Sequence, residues 1–129
     1  MANDEVRDGY TYTKDHEWLL VEGDNAKIGV TAFAVDALGD VTLVNIDVKV
    51  GDQIIAGKAF GTIESVKTLS VLFAPVSGTV AAINGDLEAQ PELVNADPYG
   101  KAWLISVKPD GGGETMDAAA YRAFIKTAH

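Results

Sequence analysis

A chain of 129 residues, 47% hydrophobic and 22% charged, has the size and balance of one domain around a single core, and is not a disordered segment. Its formal charge of −9 and its lack of cysteine set it against phosphate-rich nucleic acid and exclude disulfides, thiolate metal sites and cysteine nucleophiles. Only His16 and His129 supply imidazole, so no catalytic residue and no metal site is expected.

The opening residues, Met1-Ala2-Asn3-Asp4-Glu5-Val6-Arg7-Asp8, lack the apolar core of a secretory signal and are too acidic for an organellar transit peptide. No apolar stretch has the length that crosses a bilayer. Residues 10–13 and 16–21 read as strands, Glu22-Gly23-Asp24-Asn25 as a turn, and 26–30 as the return strand. Thr31 is placed to cap a short helix over 32–38 that ends near Asp36 and Gly39, with Phe33 and Leu38 anchoring it to the sheet. In 41–48 the alternation changes phase at Leu43-Val44, which predicts a bulge or a strand buried on both faces. Gly51-Asp52 and Gly85-Asp86 are turn signals that hint at two pseudo-equivalent halves.

Residues 58–63 and 68–73 are strand-like, and in the second Leu69, Val71 and Phe73 alternate with Ser70 and Leu72. The polar tetrad between them, Glu64-Ser65-Val66-Lys67, predicts a hairpin tip that lifts the Lys67 amine into water. A turn lysine taken alone is ordinarily a solvated charge, so two readings of Lys67 stand at this point. Pro75 and Gly78 mark the next turn, and 79–83 and 102–107 complete a set of short strands. Gly111-Gly112-Gly113 reads as a flexible break. Beyond it Asp117 caps a helix over 118–126, with Tyr121, Phe124 and Ile125 as its apolar stripe. The expected fold is mainly β, one domain over 1–129: a small sandwich or flattened barrel over about 10–109, a short helix in the N-terminal half and a C-terminal helix over 117–127. The dense turns leave no room for a dinucleotide-binding unit.

Six segments occur in order: Lys14-Asp15-His16-Glu17-Trp18, Ala37-Leu38-Gly39-Asp40, Glu64-Ser65-Val66-Lys67, Ala74-Pro75-Val76-Ser77-Gly78, Pro91-Glu92-Leu93-Val94-Asn95 and Asp97-Pro98-Tyr99-Gly100. Together they resemble the H proteins of the glycine cleavage system over nearly the whole chain. The resemblance implies a lipoyl-domain-like barrel-sandwich hybrid and a non-catalytic carrier. Lipoate would be joined covalently to Lys67, in a turn that the lipoate-attaching enzyme recognises through Glu64, Ser65 and Val66; for Glu64 the alternative is a carboxylate that merely stays solvated. The absence of methionines beside Lys67 separates the pattern from biotin-carrying domains.

By the same resemblance, the arm would shuttle the aminomethyl group of glycine from the pyridoxal-phosphate decarboxylase (P protein) to the tetrahydrofolate-dependent aminomethyltransferase (T protein). Dihydrolipoamide dehydrogenase (L protein) would then reoxidise it. A second reading is a relay that delivers lipoate to other enzymes. The implied setting is bacterial cytoplasm, or the mitochondrial matrix in a eukaryote. In the arm cleft Glu17 would offer its carboxylate to the cargo's ammonium, or else be a surface strand residue that holds a neighbouring segment. His16 would be structural beside Trp18, Trp18 and Trp103 core, and Asn95 and 97–100 loop architecture. Departures from the family pattern are the bulkier Thr68-Leu69, Val71 in place of an acid, and Ala32-Phe33-Ala34-Val35 where polar residues are usual. These imply a more apolar cleft.

Overall fold

Short alternating segments separated by Gly- and Asp-rich turns can only bury their apolar faces by stacking sheet on sheet, and that is the architecture found. The computed structural model describes residues 6–127; His129 and the first five residues of the leader reading lie outside that range. In chain order the elements are β1 (Thr11–Tyr12), β2 (Glu17–Glu22), β3 (Asn25–Val30), α1 (Ala32–Leu38), β4 (Val41–Ile46), β5 (Gln53–Ile54) and β6 (Ala59–Ser65). There follow β7 (Leu69–Phe73), β8 (Ser77–Ile83), α2 (Asp86–Ala89), α3 (Leu93–Ala96), β9 (Ile105–Gly111) and α4 (Ala118–Thr127).

The strands form a six-stranded sheet, β1-β2-β3-β9-β8-β5, and a three-stranded sheet, β4-β6-β7. All pairings are antiparallel. The mainly β expectation holds, but the barrel does not close. Among the described residues no ladder joins the two sheets, and along β7 the backbone N–H of Phe73 finds a side chain, Glu17, in place of a neighbouring strand. The main core lies between the sheets: Ile28, Val80, Ile105 and Val107 from one meet Val44, Phe60, Ile63 and Leu72 from the other. A second, aromatic core gathers Tyr12, Trp18, Tyr99 and Tyr121.

Helix α1 forms where the sequence places it. Thr31 Oγ1 accepts from the Ala34 N–H, and Gly39 closes the last turn by donating to the Val35 carbonyl. Leu38 enters the main core, but Phe33 turns to the aromatic core beside His16 and does not anchor the sheet. The phase change in β4 is a register shift against β6 between Val41 and Leu43. On β7 the apolar phase faces outward: Leu72 is 2% exposed, whereas Leu69 is 54% and Val71 40% exposed.

Helices α2 and α3 were not expected. At four residues each they are too short to show a helical period, and each is pinned by one buried side chain, Leu87 or Val94. Gly111-Gly112-Gly113 is no loose break. Strand β9 runs to Gly111, Gly112 and Gly113 hold φ of 77° and 80°, and a Cβ on Gly113 would collide with the Pro75 carbonyl. Helix α4 begins as expected, with Asp117 Oδ1 accepting from the Ala120 N–H. It lays Tyr121 and Ile125 on the aromatic core, beside β1, and not on the main sandwich.

Gly29 sits directly under Trp18, its partner in the β2–β3 register, and a Cβ there would overlap the indole. Gly29→Ala is expected to lose about 1–3 kcal/mol of stability through overpacking, measured by urea denaturation. A change too small to resolve would show that the ring has room to move.

Candidate functional site

Strands β6 and β7 project a hairpin whose tip is shaped by one hydroxyl. Ser65 Oγ accepts from the N–H groups of Lys67 and Thr68, both at 3.2 Å, while the Ser65 N–H donates to the Thr68 carbonyl at 2.8 Å. Ser65 is thus committed to its own turn, a role the sequence did not reveal. The Val66 N–H donates to the Asp40 carbonyl at 3.0 Å, tying the tip to the turn between α1 and β4. The Val66 side chain stands in solvent, and Glu64 is half-buried on the outer face of the small sheet, between its register partners Leu43 and Leu69. Lys67 is exposed, and among the described residues no carboxylate forms an ion pair with its ammonium.

Behind the hairpin a cleft of about 250 Å³ opens between the free edge of β7 and helix α1. Leu69, Val71 and Leu72 form one wall, Ala34, Ala37 and Leu38 the other, with Val30 and Glu17 deeper in. Of the four departures in α1 only Ala34 faces this space; Ala32 and Phe33 belong to the aromatic core and Val35 to the main core. Val71, in the outward phase of β7, borders the opposite wall along with Thr68 and Ser70. A larger depression of about 550 Å³, lined by residues 13–15, 56–57, 74–75 and 113–116, includes no residue of the lysine hairpin.

Glu17 is buried, at 1% exposure, and is not a surface residue. Its Oε2 accepts from the Phe73 N–H at 2.7 Å, so it does hold a neighbouring segment, while Oε1 has no partner among the described residues. Burial pushes its carboxyl up to about 8; the Phe73 amide opposes this, Asp15 adds to it and Thr13 opposes it weakly. A group almost never buried without a partner therefore lines this cleft with one oxygen unsatisfied.

The bend that delivers Glu17 depends on its neighbour. His16 adopts φ of 64°, unusual outside glycine. Its Nδ1 meets the Tyr121 hydroxyl at 2.8 Å, which in turn meets Thr31 Oγ1 at 2.8 Å. Its ring lies against Phe33 and Phe124. His16 is structural, as expected, with Tyr121 as its partner. Trp18 is core, its Nε1 donating to the Pro98 carbonyl at 3.0 Å, while Trp103 is only half-buried, under Lys27. Asn95 does more than shape its own loop: its side chain donates to the Gly39 carbonyl at 2.7 Å and accepts from the Val41 N–H at 2.8 Å.

A carboxyl protonated in the folded chain and ionised when unfolded stabilises the fold in acid. Its contribution is complete below about 4.5 and is lost as pH rises towards 8. At about 1.4 kcal/mol per pKa unit the loss amounts to several kcal/mol. Glu17→Gln is expected to match the parent near pH 4 and to exceed it in urea midpoint at pH 8. Parallel stability profiles of the two proteins across this range would contradict the assignment.

Against known proteins, the model of the glycine cleavage H-protein family matches residues 10–128. The glycine cleavage system H protein of Beutenbergia cavernae is 52% identical over 88% of this chain and 90% of its own length. A probable glycine cleavage system H protein of Haloarcula marismortui is 45% identical over 93% of this chain and 94% of its own. The crystal structure of a glycine cleavage system H protein from Mycobacterium marinum superposes with a TM-score of 0.89 at 37% identity, covering 94% of this chain and 99% of that one. With sequence and fold agreeing from Tyr10 to helix α4, the chain belongs to the glycine cleavage H-protein family, whose members are non-catalytic components of that system.

Proposed function

We propose that this protein is the lipoylated carrier of the glycine cleavage system, with Lys67 as the attachment site. The observation that carries the reading is the Lys67 amine, exposed at a tip held by Ser65 and Asp40, next in the chain to Thr68 and Leu69 of the cleft. These residues fit the group. A primary amine on a thin stem, with no ion pair to break, is open to acylation, and a fixed hairpin lets the arm swing while the backbone stays still. Lipoate joined there as an amide would supply a strained disulfide able to take a carbon group on one sulfur as the other leaves as thiolate, and to be restored by the two-electron acceptor of the dehydrogenase. Residues 10–109 and 117–127 act as one carrier domain that docks in turn on glycine decarboxylase, aminomethyltransferase, dihydrolipoamide dehydrogenase and the lipoate-attaching enzyme. The relatives come from bacteria and an archaeon, which favours a cytoplasmic setting.

The chain's own part in the cycle is to hold and shield. Val30, Leu38 and Leu72 keep the depth of the cleft apolar, and Glu17 directs Oε1 at cargo bearing an ammonium. Arrival of that cation favours the ionised carboxyl that burial otherwise suppresses, and Glu17 gives up its proton as the pair forms. The Phe73 N–H holds the other oxygen in place. Glu64, Ser65 and Val66 present the turn to the attaching enzyme: Ser65 through its shape, Glu64 and Val66 by contact.

Intact-mass measurement after expression with lipoate and a competent ligase is expected to show one lipoyl group, lost in Lys67→Arg. Modification elsewhere, or none, would refute the assignment. In the cargo-loaded carrier, Glu17→Gln should speed spontaneous loss of the aminomethyl group by roughly ten- to a hundredfold, the worth of one charge-assisted hydrogen bond. An unchanged rate would remove Glu17 from this role.

A further inference from the structure

We infer that the turn between α1 and β4, clamped from α3 by Asn95, is a sill that directs the Lys67 stem into the cleft. Gly39 and Asn95 are then positioning residues for the arm. The inference deepens the carrier reading by assigning the groups that steer the arm; the stem's path is a property of the unmodified side chain.

Three observations converge on the turn. A Cβ built on Gly39 would lie 3.1 Å from Lys67 Cε and 3.5 Å from both Cδ and Nζ, and these are its three nearest heavy atoms. The space left by the missing side chain is therefore occupied by the lysine stem. Gly39 follows Leu38, which lines the cleft, and precedes Asp40, whose carbonyl holds the hairpin tip through the Val66 N–H. The bare position thus touches the lysine stem and is joined in the chain to a residue of the cleft on one side and to the tie of the tip on the other. Finally, Asn95 fixes the turn on both sides through the Gly39 carbonyl and the Val41 N–H.

Closing α1 explains part of this arrangement, because a helix commonly ends on a glycine with positive φ. Gly39 does serve there, its N–H bonded to Val35. That role requires neither the two bonds from a side chain on a separate helix nor the tie from the hairpin tip. Its backbone, φ 76° and ψ −151°, lies outside the left-handed helical region of an ordinary cap, in a region that only glycine adopts at little cost. Asn95 fixes a conformation that the cap alone does not specify, and that conformation leaves the sill open to the stem.

The test reads the stem directly. In the unmodified protein the lysines are reductively methylated with ¹³C, and the mobility of the Lys67 methyl groups is compared with that of exposed Lys58. Lys67 should be the more ordered in the parent, and Asn95→Ala and Gly39→Ala should each bring it to the mobility of Lys58. Leu87→Ala, which hollows the packing of α2 and leaves α3 its own anchor, controls for general loosening and should leave Lys67 ordered. In the lipoylated protein, reduction of the ring by a phosphine too small to need docking should run roughly three- to tenfold faster in Asn95→Ala, as expected for loss of a local hydrogen-bonded constraint. Equal mobility of Lys67 and Lys58 in the parent, or equal release by Leu87→Ala, overturns the sill. Failure of lipoylation at Lys67 would overturn the carrier reading while leaving the mobility result in force.

Discussion

The free edge of β7 is the feature on which the site depends. In a closed barrel the Phe73 N–H would pair with another strand; here it donates to a buried carboxyl on β2. That single bond links the two sheets where their ladders do not meet, and it leaves the rest of the β7 edge facing α1 across a gap. The cleft and the openness of the sandwich are therefore one fact. A hydrophobic residue in place of Glu17 would remove a costly buried carboxyl and leave the Phe73 amide without a partner.

The aromatic core keeps that carboxyl where it is. Tyr121 binds both His16 and Thr31 through one hydroxyl, so the bend before Glu17 and the cap of α1 share an anchor on the C-terminal helix. Burial holds the Tyr121 hydroxyl up at about 12 and pulls the His16 imidazole down, so both stay neutral near pH 7. The network carries no charge that cargo or solvent could disturb. The α1 wall of the cleft and the bend that brings Glu17 into it consequently rest on one stack, in which the Tyr12 and Tyr121 rings lie 4.4 Å apart.

Much of this was legible in the sequence because it depends on local rules. Thr31 and Gly39 bracket α1, the Leu43-Val44 phase change marks a real bulge, and the polar tetrad marks the hairpin. What was hidden depends on contacts between distant segments. For Glu17 the sequence leaves a cleft carboxylate and a surface strand residue both open, because nothing local announces that Phe73 will meet it. The alternation of Leu69 and Val71 with Ser70 and Leu72 marks a strand without saying which set is buried; Leu72 takes the inner side because the register with β6 sets the faces. The three glycines read as slack, whereas Gly113 is bare because the Pro75 carbonyl approaches it. Asn95 gave no signal of its bonds to Gly39 and Val41, which lie 56 and 54 residues away.

The bridge between Tyr12 and Met116, and the Tyr121 hydroxyl beyond it, place the first strand and the last helix in one interlocked unit. During synthesis the lysine hairpin emerges with its strands complete, whereas the His16 imidazole lacks its Tyr121 partner until helix α4 leaves the ribosome. Pairing across that much chain is slow and comes last. A nascent chain thus displays its lysine before it has a finished pocket behind it, and the order of translation itself separates exposure of the amine from assembly of its shelter.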